Sequence, residues 1–465
     1  MGLGLNGGGL ASAVFLAKRG AELIVTDLRG EDVLRPSIEA LEAAVRETGA
    51  PPPRYVLGRH ELSDFEAADI VIKNPGVRPD SPYLKAAKRV ETDISLFLRE
   101  NPARICAVTG SKGKSFTASA LYSGLSAYHK ECTAKNGENC GAAFLGGNIT
   151  VSPLTFIEKL DEKDDVVLEL SSWQLGDLPQ DLLKPHVALF TSIMSDHLDR
   201  YGTMEAYVAD KKLIYKNQDS SCLTIARDEP WGEQFLRETK ARTAFYGEVE
   251  RKGACGWFDS KKNECFARGP LGVLGASSVE RVVLSETAVP GRHQKLNLLG
   301  AALAMLELGL KADFIANAVS CFKGIEHRLE FFYENAGIKF YNDSAATIPE
   351  AAAAAIAALK KPVLITGGTD KSLDFAPLLQ AAAGAKKIIL LEGTASDKLC
   401  VLFRAAALEF EGPFGSLEAA LHAALEAAQS GDSVVLSPGC TSFGMFLNEF
   451  DRGKKWKAAV LNAFS

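Results

Sequence analysis

The sequence predicts an α/β protein of three domains, and three observations carry that reading. Apolar strand-like segments alternate with helical patterns along the whole chain, which argues for parallel sheets covered on both faces. Two glycine-rich turns, near Gly2 and near Gly110, stand at strand-to-helix junctions. The length of 465 residues suits two to four domains of ordinary size, and three blocks fit the pattern best. Hydrophobic residues make up 47% and charged residues 24%, so global disorder is excluded. A net charge of −6 excludes a broad basic surface for nucleic acid or an acidic membrane, while leaving room for small anionic ligands held by local groups. Nine cysteines without a C-x-x-C pair read as reduced thiols of a cytoplasmic protein, with no disulfide framework and no zinc site. No apolar run approaches the ~18 residues of a membrane helix, and no leader peptide is visible.

The first block is expected over residues 1–100. Gly2, Gly4 and Gly7 form G-x-G-x-x-G, followed by a helix from Leu10 to Lys18 and a strand from Glu22 to Thr26 that Asp27 closes. That spacing lets backbone approach a phosphate at a helix N-terminus, although by itself a plain tight turn explains it equally well. The strand that should precede Gly2 is missing from the sequence, so the first sheet is expected one strand short and the native N-terminus longer. ADIVIKNPGV then reads as a strand ending in a turn at Pro75 and Gly76, with a helix over Ser81 to Lys88. The second block, 101–324, opens with RICAVTGSKGKS and includes VVLEL and HVALFTS; an irregular or β-rich excursion is expected between Gly247 and Gly275. The third, 325–465, has an Ala-rich helix at Pro349 to Leu359 and strands in PVLITGG, KIILLEG and SVVLSPG. Both alanine runs, 351–355 and 405–407, are expected in close-packed helices.

The most specific motif is Thr109-Gly110-Ser111-Lys112-Gly113-Lys114-Ser115, after a strand and before a helix. In that context backbone N–H groups, the helix N-terminus and Lys114 would hold phosphates, and Ser115 would offer a hydroxyl to Mg2+. Val108 stands where the strict P-loop pattern has its first glycine. Glu169 ends VVLEL, at the mouth of the same crevice if the strands are neighbours, where a hard cation finds an oxygen ligand. The plain alternative is a solvent-facing glutamate. HVALFTS leads into MSDHLDRYG, whose Asp196, His197 and Asp199 read either as metal ligands or as a hydrogen-bonded loop.

TGSKGKS, ELSSWQL, SDHLDRYG with YVADKKLIY, GRHQKLN, EHRLE, YNDSAAT, GGTDKS and LSPGCTSFGMFLNEFDRG stand in the order found in the Mur ligases. The chain resembles that family from Gly2 to Gly453, most closely the branch that joins D-glutamate to UDP-N-acetylmuramoyl-L-alanine. The resemblance implies a Rossmann-like N-terminal domain for the UDP substrate, a central P-loop-type ATPase domain and a Rossmann-like C-terminal domain. It also implies ATP, two Mg2+ sites and an acyl-phosphate route, with a monomer expected. Residue by residue, Gly110, Ser111, Lys112, Gly113 and Lys114 would hold ATP phosphates, and Ser115 and Glu169 the ATP-linked magnesium. His197 would serve a second magnesium beside Lys211, which falls at the position carbamylated in the family; Lys212 is its neighbour. Asn297 would lie on the adenine side, Arg328 near the γ-phosphate and Asp343 near the ribose. Gln294 and Ala345 replace an asparagine and a lysine common in the family. The plain alternatives are an ion pair for Arg328 and a turn cap for Asp343.

For D-glutamate the resemblance implies Thr347, Lys371 and Ser442, a cation with hydroxyls suited to a carboxylate. Phe450 or Glu449 would take the aromatic contact position. For the UDP substrate it implies Gly4 and Asn6 beside the diphosphate, Asp27 and Arg29 at the uracil, Asn74 and Gly76 at the nucleotide, and Asn148 at the sugar–peptide end. Two rivals remain open in the sequence. One is a ligase of the same superfamily with another amino acid or a folate acceptor; the other is a silent nucleotide-binding protein.

Overall fold

The computed structural model describes every residue except Leu5, Asn6, Thr150, Pro270, Ala276, Lys360, Lys371, Ser372, Phe443 and Ser465, and the side chain of Asp199. The chain forms two compact units. One comprises Met1–Ser285 with Leu296–Val319, and the other Glu286–Lys295 with Ser320–Ser465. Three sheet regions lie along the chain, the first two in one unit.

In the first region, strand Ile24–Asp27 pairs in parallel with Arg54–Leu57, and Val71–Ile72 with Val90–Glu91. No regular strand lies between the two pairs among the described residues, as expected of a first sheet one strand short. Gly2 N–H donates to Thr26 O at 2.8 Å and Asn74 N–H to Met1 O at 3.2 Å, so the first residues run between the pairs without forming a regular strand. Helix Gly8–Lys18 begins after Gly7, whose φ of 90° a side chain would strain. Its Ala13 and Ala17 pack on Leu3, Val25 and Leu41.

The central sheet carries the site. Its parallel part runs, in spatial order, Arg242–Gly247, Leu223–Arg227, Val187–Phe190, Arg104–Thr109, Asp165–Glu169 and Ala143–Gly147. The strands Arg104–Thr109, Asp165–Glu169 and Val187–Phe190 are apolar on both faces and nearly all buried, as a sheet covered by helices on both sides requires. From Arg104–Thr109 the chain passes to one side through helix Lys114–Asn136 and later returns to the other side. A crevice at the carboxyl ends of these strands is the consequence. The expected excursion is a β-extension, Gly256–Asp259, Glu264–Arg268 and Val279–Val283, with antiparallel pairing among its strands.

The third sheet has five parallel strands, Ile338–Asn342, Ser433–Leu436, Val363–Thr366, Lys387–Leu391 and Glu411–Phe414, with Glu330–Asn335 antiparallel at the edge. Helix Pro349–Ala358 packs Ala352, Ala355 and Ile356 into the core, as the first alanine run predicts. The second run is a correction: helix Thr394–Ala405 ends there, Ala407 has φ 55°, and all three alanines are exposed. A short alanine run has high helical propensity but no apolar bulk to demand burial, so its position at a helix end decides its fate.

Candidate active site

The Thr109–Ser115 loop is held by neighbours from the strand-end segment 191–194 and by Asn297. Gly110 has φ 149°, and a Cβ there would collide with Thr191 Oγ1. Ser111 N–H donates to Ser192 O at 2.7 Å, and Ser111 Oγ donates to Met194 O and accepts from Met194 N–H, both at 2.9 Å. Thr191 Oγ1 donates to Lys112 O at 2.7 Å. Gly113 caps helix Lys114–Asn136 at φ 88°, with the Asn297 amide so close that a side chain would not fit between them. Loop N–H groups and the first turn of that helix thus form a concave anion cradle. Lys114 folds over it, donating to Gly110 O at 2.9 Å and Ser111 O at 3.0 Å; Ser115 is half-buried on the first turn, and Lys112 is exposed, 3.5 Å from Asp196.

Beside the cradle, Glu169 is wholly buried at the end of its strand. Its Oε1 accepts from Asn148 Nδ2 at 2.9 Å, while Oε2 has no hydrogen-bond partner. A buried carboxylate oxygen left without a partner is costly, and a hard cation bridging to phosphates and waters would satisfy it. Lys211, 1% exposed, donates from Nζ to Gly110 O at 2.8 Å and lies 4.6 Å from the centre of the Tyr207 ring. Burial, and next the charge of Lys114, push its ammonium down to about 7. A lysine largely neutral near physiological pH is a nucleophile rather than a solvated cation, and the solvated-face reading of Lys211 fails. His197 has φ 52°, packs against Trp173 with ring centres 5.2 Å apart and planes tilted by 55°, and has Nε2 3.9 Å from Asp196 Oδ2. The residues fit magnesium as a site completed by nucleotide and water. Among the described residues, the group of three carboxylate or imidazole ligands within 4.8 Å is a different one, Glu326, His327 and Glu330. There the Lys457 ammonium lies 2.6 Å from Glu330 and 3.4 Å from Glu326, already supplying the positive charge.

In the second unit, Asp343 is buried, accepting Leu329 N–H at 2.9 Å and Ser437 Oγ–H at 2.6 Å; burial pushes its carboxyl up to about 7. It therefore does cap the 327–329 turn that presents the exposed Arg328. Thr347 is half-buried, Ser442 is buried, and Phe450 is exposed with its ring 5.6 Å from that of His327. Lys371 lies outside the described residues. In the first unit, Asp27 uses both oxygens on backbone, accepting Gly4 N–H and Arg29 N–H at 3.0 Å each. Arg29 itself is exposed. Asn74 Oδ1 accepts Gly76 N–H at 3.1 Å, and Asn6 lies outside the described residues.

Sequence reasoning passed over three side chains. Tyr207 supports Lys211 and its hydroxyl lies 3.0 Å from Ser111 Oγ. Trp173 lies against His197 with the rings tilted by 55°, and the Arg200 guanidinium sits over the Trp173 ring, 4.1 Å from its centre. Arg452 is buried and donates to Ser344 O at 2.8 Å and Cys440 O at 3.3 Å, tying the last helix to two predicted substrate loops. An arginine after the apolar MFLNEF segment was the only available signal for it.

Residues 108–305 match the Mur ligase middle domain, and 327–440 the Mur ligase glutamate ligase domain. The chain is 40% identical over 529 residues to the UDP-N-acetylmuramoylalanine–D-glutamate ligase of Treponema pallidum, covering 99% of this chain and 96% of the relative. It is 38% identical over 480 residues to the enzyme of that name from Roseiflexus, covering 99% and 97%. Solved structures share the fold. The MurF ligase of Thermotoga maritima in complex with ADP superposes with a TM-score of 0.56 at 15% identity, covering 97% of this chain and 98% of that one. The UDP-N-acetylmuramate–alanine ligase of the same organism gives 0.55 at 17% identity, covering 95% and 99%. Full-length similarity together with this phosphate loop shows that the chain belongs to the Mur ligase family, in the branch of the UDP-N-acetylmuramoylalanine–D-glutamate ligases.

Proposed function

We propose that this chain joins the amine of D-glutamate to the lactoyl-alanine carboxylate of UDP-N-acetylmuramoyl-L-alanine at the expense of ATP, a step of peptidoglycan precursor synthesis. The observation that carries the reading is the meeting of Lys114, Lys211 and Glu169 at one loop, in a chain 40% identical over its length to a ligase of that name. The substrate carboxylate attacks the γ-phosphorus and ADP leaves, giving an acyl phosphate. The D-glutamate amine then attacks the acyl carbon, phosphate departs and the amide remains. Transfer of this kind depends on positioning and charge neutralisation. The Gly110–Gly113 amides and Lys114 are the proposed holders of the phosphates in line, and Arg328 is the proposed γ-phosphate contact. Asn297 lies against Gly113, supporting an adenine-side role, and Asp343 orders the turn bearing Arg328.

Magnesium, when bound, neutralises phosphate charge; Ser115 and Glu169 would hold one ion, His197 and Lys211 a second. A neutral Lys211 amine adds to carbon dioxide, forming an N–C bond and releasing a proton, and the resulting carbamate supplies an anionic oxygen. Thr347, Lys371, Ser442 and Phe450 are the proposed D-glutamate contacts. Gly4, Asn6, Asp27, Arg29, Asn74, Gly76 and Asn148 are those for the UDP substrate. The use of ATP and a nucleotide-linked sugar points to the cytoplasm, and among the described residues no helix is long and apolar enough to cross a membrane. The deciding assay is ADP release with UDP-N-acetylmuramoyl-L-alanine and, in turn, D-glutamate, L-glutamate, L-lysine and diaminopimelate. Turnover with D-glutamate is the expected result, and turnover confined to another amino acid overturns the reading.

A further inference from the structure

Lys73 follows strand Val71–Ile72 and immediately precedes Asn74, whose side chain orders the turn at Gly76. Its side chain is 3% exposed and its ammonium pairs with the carboxylate of Asp177, 8% exposed, which caps helix Ser172–Gly176. The partners are 104 residues apart and join the block of the first glycine-rich turn to the block of the phosphate loop. Burial pushes the lysine down and the aspartate up from their usual values, so the pair is held against a desolvation penalty. Such a pair is a poor source of stability, because apolar side chains of similar volume do as well. What it does supply is direction. An apolar contact tolerates sliding, whereas a buried ion pair loses its compensation when either charge moves.

The helix capped by Asp177 begins three residues after Glu169, and its Trp173 ring packs against that of His197, 5.2 Å between centres. One end of this short helix thus bears on the metal-side residues and the other on Lys73. We propose that Lys73 is a positioning residue: with Asp177 it sets the turn that anchors the nucleotide end of the acid substrate at a fixed reach from the Glu169–His197 edge. That substrate is tethered at one end and reacts at the other, so an error of about 1 Å in the reach costs on the order of 100-fold in rate. The inference rests on the UDP-substrate assignment of Asn74 and Gly76 made above.

The test uses the full chain, with kcat, KM for both nucleotides and thermal melting measured for wild type, K73R, K73M and K73M/D177L. K73M leaves a buried carboxylate without its lysine and is expected to melt early; the double variant, with neither charge of the pair left, melts near wild type. The expected kinetic result in the double variant is a rise of about tenfold in KM for the UDP substrate or an equal fall in kcat, with KM for ATP within about twofold. Wild-type constants in K73M/D177L overturn the proposal, since any contact would then serve. An equal rise in both KM values overturns it as general damage, and failure of every variant to fold reduces the pair to a stability element. A wild-type chain inactive with the UDP substrate sinks the functional reading itself, and the positioning role with it.

Discussion

The two glycine-rich turns open similar helices yet are built for different work. At Gly110–Gly113 the loop is gripped by Thr191, Ser192 and Met194, two lysines reach the carbonyl of Gly110, and a buried glutamate lies alongside. At Gly2–Gly7 the charged side chain bonded to the described backbone is a carboxylate, Asp27 accepting Gly4 N–H. A carboxylate, not a cation, is what the fold brings to this turn. The contrast teaches that a glycine pattern specifies a close backbone approach, while the charges brought to it from distant strands specify the chemistry.

The largest effect is expected where that charge is removed. Lys114→Met should lower D-glutamate-dependent ADP release by about 10^3-fold with an unchanged melting temperature; a loss under tenfold would make the two turns equivalent. Glu169→Gln should come next, raising the magnesium concentration for half-maximal activity by roughly tenfold, as measured by titration. An unchanged requirement would remove Glu169 from the metal.

Backbone tests sharpen the same contrast. Gly110→Ala combines an unfavourable φ with a collision at Thr191 and should destabilise by roughly 2–4 kcal/mol in denaturant unfolding. Gly4→Ala, at φ 61° with open space around it, should cost only about 1 kcal/mol. Equal costs would show that the two turns are held alike.

The most specific prediction concerns Lys211. Its folded value near 7 lies below the unfolded value of 10.5, so between those limits the unfolded chain binds more protons. Stability from this group is then lost below pH 7 and recovered as pH rises toward 10.5. In buffer free of carbon dioxide, the melting temperature of wild type relative to Lys211→Met should therefore climb from pH 7 to 10. A flat difference would mean that the amine stays charged in the fold.

Much of the site was legible because phosphate loops are local: strand, glycines, lysine and hydroxyl stand within seven residues. Glu169 was half legible from its place at a strand end and Lys211 only through an ordered set of motifs, since neither burial nor partner can be read from ELSS or ADKK. The loss of the second alanine run to a helix end, and the path of the first residues between two strand pairs, were decided by neighbours remote in sequence.

By itself the sequence determined the α/β class, the phosphate loop and the family, because periodicity, turn chemistry and motif order are properties of short segments. Only the tertiary structure decided which charges are buried. Lys211 loses its proton near neutrality, Glu169 keeps an unpartnered oxygen, Asp343 becomes a turn cap, and Lys73 meets Asp177. Each depends on removal from water by residues up to a hundred positions away, and desolvation, unlike spacing, has no signature in a linear chain.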